Sequence, residues 1–418
     1  MEVTRIFHPV GQGGFYTESF DNQHMVVYDC GGKSRVFMEE YIKSFLSEIP
    51  KQPIEAVFIS HLHEDHINGL QHLIAKTEVR RIFLPQLTKE KVLDVLLYNA
   101  LHSSKINSND FIINFIDAIR LEREFENVAI IQVQESEMRE RPNIDSISID
   151  SSLTQISPSL PSGTPLTFNN NLWYYIPYNP VSPSLSFDKI LDEKIRETLI
   201  NIYNDPSAKS QAEKIAELMK NKGIDVCKNA YAELFGRIHN SQSMPVFSGL
   251  LNPRGTTTTI EIGHVSNPIE PIRLIKHIYT DNHNCELELL ANIEDNSYHS
   301  IVHCHSHMIH CRRACNIITN FLYTGDFEAG NVISLKNYFI GHLWNSICGI
   351  QIPHHGSRHN YTPNLYSGKL YAVASAGIRN KYHHPNIDTL TNIAANGCFP
   401  FVVTEDGKTA IYQHFNIK

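Results

Sequence analysis

The chain has 418 residues, of which 42% are hydrophobic and 19% are charged, and its formal net charge is -8 at pH 7. This negative balance argues against a surface that binds nucleic acid along its whole length, and no apolar run approaches the length of a membrane span. The first residues read as a strand rather than a signal peptide, and the eight cysteines form no spaced disulfide framework, so we expect a cytoplasmic protein with reduced thiols and no membrane contact.

Strand and helix patterns alternate over the first ninety residues. Residues 3–10 and 24–30 are predicted strands, and residues 37–46 have the spacing of an amphipathic helix. A short apolar run at residues 56–59 predicts a buried strand, and residues 80–84 predict another. This alternation predicts an α/β fold in which helices cover the outer face of a sheet.

Residues 60–66, Ser-His-Leu-His-Glu-Asp-His, follow the buried strand and precede a helix start. His61 and His63 are two residues apart, so in an extended segment they point the same way. Asp65 and His66 lie where the backbone bends and can face a second point nearby. The spacing therefore predicts two metal ions side by side, with Zn²⁺ preferred by imidazole and carboxylate ligands and Mn²⁺ or Fe as alternatives. The simpler alternative is a polar turn that happens to be rich in histidine.

The middle of the chain is mostly helical or loop-like. Residues 89–124 are helical and polar in pattern, residues 128–133 predict a strand, and residues 136–170 are rich in Ser, Pro, Asn and charge. A strand is predicted at residues 171–177. Within residues 186–240, two exposed helices are predicted at residues 187–204 and 207–222, and a third follows to about residue 238. This helical insertion could cover the site, bind a protein partner or simply extend the fold.

Further ligand candidates lie at strand ends in the last third of the chain. Asp326 follows a predicted strand at residues 321–324, and its two carboxylate oxygens could bridge two cations. His354 and His355 follow a predicted strand at residues 349–352. One of them should complete the second metal site. We favour His354 as the ligand, with His355 beside the substrate, and the reverse assignment stays open.

The histidine motif resembles the signature of the metallo-β-lactamase-fold hydrolases. Five further stretches resemble one branch of that superfamily, which contains the hydrolase domain of bacterial competence (DNA-uptake) channel proteins: Val10–Gly13, Val26–Gly31, Tyr323–Asp326, Ile352–Ser357 and His384-Pro385. The pneumococcal phosphorylcholine esterase looks like a more distant relative. The resemblance covers about residues 1–90 and 285–418. It implies an αββα sandwich over residues 1–418, interrupted by a helical and loop insertion at about residues 100–250.

The resemblance also implies roles for three residues. Asp29, at the end of a strand, would support the metal loop by hydrogen bonds. His299, in a predicted strand at residues 299–302, would supply the third ligand of the first metal. His384, before a helix predicted to start at Pro385, would lie beside the substrate. The simpler alternatives are a strand-ending aspartate, a strand histidine and a helix-capping residue.

Histidine and cysteine are also dense just after that strand. Residues 303–315 contain four histidines and three cysteines, which could form a structural zinc site at a hairpin tip. Their spacing is not that of a paired-cysteine module, and alternate side chains of a strand point to opposite faces. An exposed, histidine-rich hairpin is therefore the favoured interpretation.

These observations predict a dinuclear zinc-dependent hydrolase. A metal-bridging hydroxide would attack a phosphodiester, with Asp65 orienting it and His355 or His384 contacting a phosphate oxygen or the leaving group. A nuclease, with DNA as a candidate substrate, is the favoured form. The resemblance implies that such a protein could act within a multi-protein bacterial system, including phage defence. A thioesterase, a lactonase, a phosphorylcholine esterase and a metal-bearing scaffold or sensor are the alternatives, because fold alone does not determine substrate.

Overall fold

The computed structural model describes residues 1–102, 110–136, 145–150, 156–168, 171–235, 243–251, 256–262, 272–279, 285–288, 317–339 and 342–417. These residues form an α/β structure with two mixed sheets and flanking helices. Within them, no helix is both long enough and apolar enough to cross a membrane. His299 and residues 303–315, for which the sequence predicts ligand roles, lie outside the described residues.

The strands of the described residues fall into two groups by sheet. The strands are β1 (Glu2–Phe7), β2 (Phe15–Phe20), β3 (His24–Cys30), β4 (Ile54–Phe58), β5 (Arg81–Pro85), β6 (Ala129–Val133), β7 (Ile147–Ser148), β8 (Ser159–Leu160), β9 (Leu166–Phe168), β10 (Trp173–Pro177), β11 (Val246–Gly249), β12 (Thr256–Ile262), β13 (Ile272–Tyr279), β14 (Cys285–Glu288), β15 (Ile317–Tyr323), β16 (Ile347–Gln351), β17 (Tyr371–Ser375), β18 (Phe399–Val403) and β19 (Ile411–Ile417). The larger sheet has the order β14-β13-β12-β19-β1-β2-β3-β4-β5-β6-β8, and the smaller has β18-β17-β16-β15-β11-β10-β9-β7.

Helices connect many of these strands. They are α1 (Arg35–Glu48), α2 (Glu64–Ile67), α3 (Leu70–Lys76), α4 (Lys89–His102), α5 (Asp110–Arg120), α6 (Glu193–Tyr203), α7 (Ala208–Lys222) and α8 (Ile224–Phe235), followed by Val332–Tyr338, His342–Ser346, Pro363–Tyr366 and Ile387–Ala395. Strands β3, β4, β5 and β6 pair in parallel, as do β15, β16, β17 and β18. Parallel neighbours require crossover connections, which the helices supply.

Strands in the middle of each sheet are buried on both faces. In β3, Val27 packs in a core shared with helices α1 and α4, whereas the adjacent Val26 packs in a core that both sheets share. In β17, Val373 belongs to that shared core, and Ala372 packs with the helices of the chain's last third. Because successive side chains of a strand point to opposite faces, doubly buried strands appear in the sequence as continuous apolar runs.

A buried ion pair ties the two sheets together. Nε of Arg5, in β1, donates to Glu18 Oε1 at 2.6 Å, and both side chains are buried. Tyr175 of the smaller sheet donates to Glu18 Oε2 at 2.6 Å, and Tyr323 donates to Glu18 Oε1 at 2.9 Å. Buried charges persist where they are paired and hydrogen-bonded, as they are here. The cluster holds β15 against the larger sheet, and Asp326 follows the end of that strand.

The helical insertion is part of the main core. The sequence predicts its three helices, and each of them buries one face and exposes the other. Leu199 of α6, Ile215 of α7 and Leu234 of α8 are buried in the same hydrophobic cluster as Leu93 of α4. The sequence did not show which element packs against these apolar faces. In the structure, α4 and α5 do so.

Strand content also exceeds the prediction. Strand β2 lies between the two strands predicted at residues 3–10 and 24–30. The short strands β7, β8 and β9 lie within residues expected to be a loop. Polar, serine-rich segments of this kind carry little periodicity, so their pairing depends on neighbouring strands rather than on local sequence.

Replacing Asp192 with alanine should destabilise the protein modestly. Its carboxylate accepts a hydrogen bond from Ile195 N at 2.9 Å and so caps α6. Loss of such a cap costs roughly 1 kcal/mol. We expect this decrease in the free energy of unfolding by urea, and we expect none for Asp188→Ala, since Asp188 makes no capping bond in its short helical turn. Equal losses in the two variants would contradict the assignment.

Candidate metal centre

The histidine motif forms a turn between a strand and a helix. Strand β4 ends at Phe58, and His63 keeps an extended backbone, with φ -72° and ψ 150°, before α2 begins at Glu64. His61 lies in the loop between β4 and α2, while Asp65 and His66 lie in the first turn of α2. The ring centroids of His61 and His66 are 4.2 Å apart. The short helix thus brings residues five positions apart to one point.

One group of potential ligands consists of His61, His66 and Asp326. All three are buried, and one ligand atom from each lies within 4.8 Å of the others. His66 Nε2 is 3.4 Å from Asp326 Oδ1, and His61 Nε2 is 3.9 Å from Asp326 Oδ2. The two oxygens of Asp326 thus face two different imidazoles.

A second group shares His66 with the first. It consists of Asp65, His66 and His355, again with one ligand atom from each within 4.8 Å of the others. His355 Nε2 is 3.4 Å from Asp65 Oδ2 and 3.7 Å from Asp326 Oδ1. His66 and Asp326 therefore connect the two groups into one cluster.

The inward-facing atoms of this cluster lack hydrogen-bond partners. Nε2 of His61, His66 and His355 and Oδ1 of Asp326 are buried, and none has a hydrogen bond within the described part of the chain. Buried polar atoms are nearly always satisfied in native proteins, so four converging exceptions require an explanation. Imidazole nitrogens and carboxylate oxygens are the donors that Zn²⁺ and similar ions take. The residues therefore fit a bound metal.

The other ring nitrogens are held by the protein. His66 Nδ1 lies 2.8 Å from Asp29 Oδ2, and His355 Nδ1 donates to the Ser375 carbonyl at 2.8 Å. His61 Nδ1 lies 3.2 Å from Ser243 Oγ. A bond at one nitrogen selects the tautomer and leaves the other nitrogen's lone pair available to a metal. Each of the three imidazoles is therefore oriented with Nε2 toward the cluster.

His63 does not join either group. Its Nε2 lies 3.1 Å from Asp94 Oδ2, and its ring stacks on Tyr98 with centroids 3.8 Å apart and an interplanar angle of 9°. Its ring centroid is 4.5 Å from that of His61. Since Nε2 is occupied by Asp94, Nδ1 is the nitrogen that remains for a metal.

The two adjacent histidines occupy different positions. His355 is buried within the second group, whereas His354 is partly exposed and its Nε2 lies 4.0 Å from Asp326 Oδ2. Both have left-handed backbone conformations, with φ of 49° and 53°, and Asp29 has φ of 53°. Such conformations are costly for residues other than glycine and cluster at functional sites.

His384 lies at the edge of the cluster. Its ring centroid is 5.4 Å from that of His354 and 6.5 Å from that of His355. Its Nδ1 is buried and has no hydrogen-bond partner within the described residues. The helix that follows begins at Ile387 and is capped by Asn386 rather than starting at Pro385. His384 is therefore not the capping residue.

Carboxylates and imidazoles of the cluster shift one another's pKa values. Burial opposes the ionisation of Asp326, yet His354, His66 and His355 hold its pKa well below the usual value. Burial also opposes the protonation of His66, but nearby carboxylates, Asp29 first among them, raise its pKa well above the usual value. The field that favours a proton on this buried imidazole also favours a metal cation in the same place.

Two glycines let the metal loop approach the first strands closely. A Cβ on Gly13 would lie 2.3 Å from the Asp65 carbonyl oxygen, and one on Gly31 would lie 2.1 Å from it. Gly13 also has φ of +126°, which other residues rarely adopt. These contacts give a physical reason for the glycines in the stretches 10–13 and 26–31.

Sequence reasoning missed several residues that support the site. Asp94 and Tyr98 lie one turn apart on α4, and Ser243 and Ser375 lie far away in the chain. Asp94 did leave a signal, because it is an acidic residue inside the apolar run 92–97. The serines left none, since their contacts depend on tertiary structure.

Part of the chain matches the model of a known protein family. The sequence model of a defence-associated family described as "Anti-Pycsar protein Apyc1" matches residues 16–173. The matched segment includes His61, His66 and Asp94, and it ends before Asp326 and His355. No curated protein matches the chain.

Proposed function

We propose that this chain is a dinuclear metal-dependent phosphodiesterase that degrades a nucleotide. The observation that carries the proposal is the set of four buried, unpartnered atoms that converge within the described residues: Nε2 of His61, His66 and His355, and Oδ1 of Asp326. Imidazole nitrogens and carboxylate oxygens held this close are suited to divalent cations.

The fold we propose is the αββα sandwich of the metallo-β-lactamase type. Two sheets that share one hydrophobic core, each with helices packed on its other face, support this assignment. The position of the ligand candidates at the ends of β4, β15 and β16 also supports it, because adjoining strand ends bring distant residues together. Helices α6 to α8 are then an elaboration of one hydrolase domain.

We assign His61 and His63 to the first ion, and Asp65, His66 and His355 to the second. Asp326 would bridge them through its two oxygens. The distances favour His355 over His354 for the second ion, which reverses the preference from sequence. His299 stays a candidate for the first ion. Zn²⁺ is the preferred metal because imidazoles dominate, with Mn²⁺ or Fe as alternatives.

Ions bound here would supply Lewis acidity and lower the pKa of a water molecule enough to yield a nucleophile at neutral pH. The chain's own residues would orient the ligands, limit water and contact the substrate. Asp29 and the Ser375 carbonyl keep His66 and His355 correctly oriented. Burial of the cluster limits competing water, and His384 is placed to donate a hydrogen bond to a phosphate oxygen or the leaving group.

The substrate we propose is a cyclic nucleotide. The name of the matched family indicates action against a defence system, and a cyclic nucleotide is the phosphodiester that such a protein would degrade. Charge supports a small substrate, because a chain of net charge -8 is poorly suited to a long polyanion such as DNA. A cyclic mononucleotide carries a single negative charge and needs no extended basic surface.

Metal analysis combined with a substrate panel tests this function. Purified protein should contain about two divalent ions per chain and should hydrolyse cyclic mononucleotides, with activity lost on chelation and restored by Zn²⁺ or Mn²⁺. The panel should include a chromogenic phosphodiester, single-stranded and double-stranded DNA, a thioester and a lactone. Cleavage of the thioester or lactone alone, or a folded protein without metal, would overturn the proposal.

A further inference from the structure

We propose that Tyr231, on helix α8 of the insertion, is a positioning residue of the metal centre. It acts through Asp94, which holds His63 so that Nδ1 of the imidazole faces the first ion. This inference rests on the proposed function. It assigns a role to a helix that contributes no ligand candidate of its own.

Asp94 connects the insertion to the metal loop. Its carboxylate lies on α4 and is buried, with Oδ2 at 3.1 Å from His63 Nε2. Its other oxygen, Oδ1, accepts a hydrogen bond from the Tyr231 hydroxyl at 2.7 Å. One carboxylate therefore has a separate partner on each oxygen, and the chain of contacts runs from α8 through α4 to His63.

His63 is held from several directions. Asp94 accepts at one end of the ring, and Tyr98 covers one face at a centroid distance of 3.8 Å. Tyr98 is itself stacked on His102, with centroids 4.2 Å apart. A carboxylate that accepts from one imidazole nitrogen determines the tautomer and raises the basicity of the other nitrogen. Asp94 can do this only while its own orientation is maintained.

Tyr231 maintains that orientation. Burial raises the pKa of the Tyr231 phenol, and Asp94 raises it further, so the hydroxyl stays protonated and donates. Without this donor, Asp94 Oδ1 would lose a hydrogen bond in a buried location, and the carboxylate would gain freedom to rotate. The His63 imidazole would then lose its defined position.

A second tyrosine of the insertion provides a matched control. Tyr203, on α6, donates to Glu90 Oε1 at 2.6 Å. Glu90 lies four residues before Asp94 on α4, so both tyrosines connect the insertion to a carboxylate of the same helix. Only Asp94 contacts a histidine of the metal loop. Tyr203→Phe thus removes an equivalent hydroxyl while leaving the contact with His63 in place.

The test compares metal affinity in Tyr231→Phe and Tyr203→Phe. Metal-free protein is titrated with Co²⁺ while the visible absorption of the bound Co²⁺ is recorded. This signal reports on each bound ion without a measurement of activity. We expect Tyr231→Phe to weaken one of the two ions by roughly 10-fold or more and to alter its spectrum, as loss of a supporting partner does. The affinity and spectrum of the other ion should equal those in the unmodified protein. The same is expected for both ions of Tyr203→Phe.

The His63→Ala background distinguishes positioning from general destabilisation. If Tyr231 acts through His63, Tyr231→Phe should cause no further loss of affinity once His63 is removed. The same loss in both backgrounds would overturn the inference. Should Tyr231→Phe fail to fold by circular dichroism, Asp94→Asn replaces it and should weaken the same ion.

The outcomes separate this inference from the function on which it rests. An unmodified protein that binds no metal would overturn both. Two bound ions in the unmodified protein, with Tyr231→Phe indistinguishable from Tyr203→Phe, would overturn the positioning role alone.

Discussion

Asp326→Ala is expected to remove both ions and to abolish hydrolysis. Its Oδ1 lies 3.4 Å from His66 Nε2 and 3.7 Å from His355 Nε2, and its Oδ2 lies 3.9 Å from His61 Nε2. The loss of turnover should exceed the roughly 10²–10³-fold that follows removal of a single stabilising donor.

The measurement is metal content together with kcat on a cyclic mononucleotide. Asp388→Ala is a suitable control, because Asp388 is an exposed carboxylate whose partner, Arg358, is also exposed and 3.9 Å away. The control should keep both ions and normal turnover. Retention of both ions by Asp326→Ala would show that this carboxylate is not the bridge.

The part of the site that is local in sequence could be predicted. The sequence places the histidine motif on a strand-to-helix turn, and the structure has that turn. It brings His61 to His66, however, whereas the sequence pairs His61 with His63. The choice between His354 and His355 could not be made, because the two are adjacent and their left-handed backbone conformations leave no signal in the sequence. The proposed exchange of their roles rests on distance, since His355 Nε2 lies 3.4 Å from Asp65 Oδ2, whereas His354 Nε2 lies 4.0 Å from Asp326 Oδ2.

Contacts that depend on tertiary packing left no local signal. Tyr231 is 137 residues from Asp94, and Ser243 is 182 residues from His61. The strand and helix patterns predict most elements near the site, since β4 and its neighbours are apolar runs flanked by amphipathic helices. The burial of α6 to α8 could not be predicted, because an amphipathic face does not identify its partner.

His384 offers a test of the chemistry apart from metal binding. Its ring lies near His354 and His355 but outside both ligand groups, and its backbone N–H donates to Asn380 Oδ1 at 2.9 Å. Burial, with the neighbouring imidazoles, lowers its pKa to about 4. At neutral pH the ring is therefore neutral, and it can donate a hydrogen bond through one nitrogen while the other accepts.

His384→Ala should keep both ions but lower kcat by roughly 10²-fold, the scale of losing one acid–base or charge-stabilising group. The adjacent His383 supplies the control. It is exposed and has φ of 56°, so His383→Asn preserves its left-handed backbone and should leave kcat unchanged. Metal content and kcat on a cyclic mononucleotide should be measured for both variants. If His384→Ala retains full turnover with two ions, His384 has no part in the reaction; if it loses an ion, the residue supports the metal centre instead.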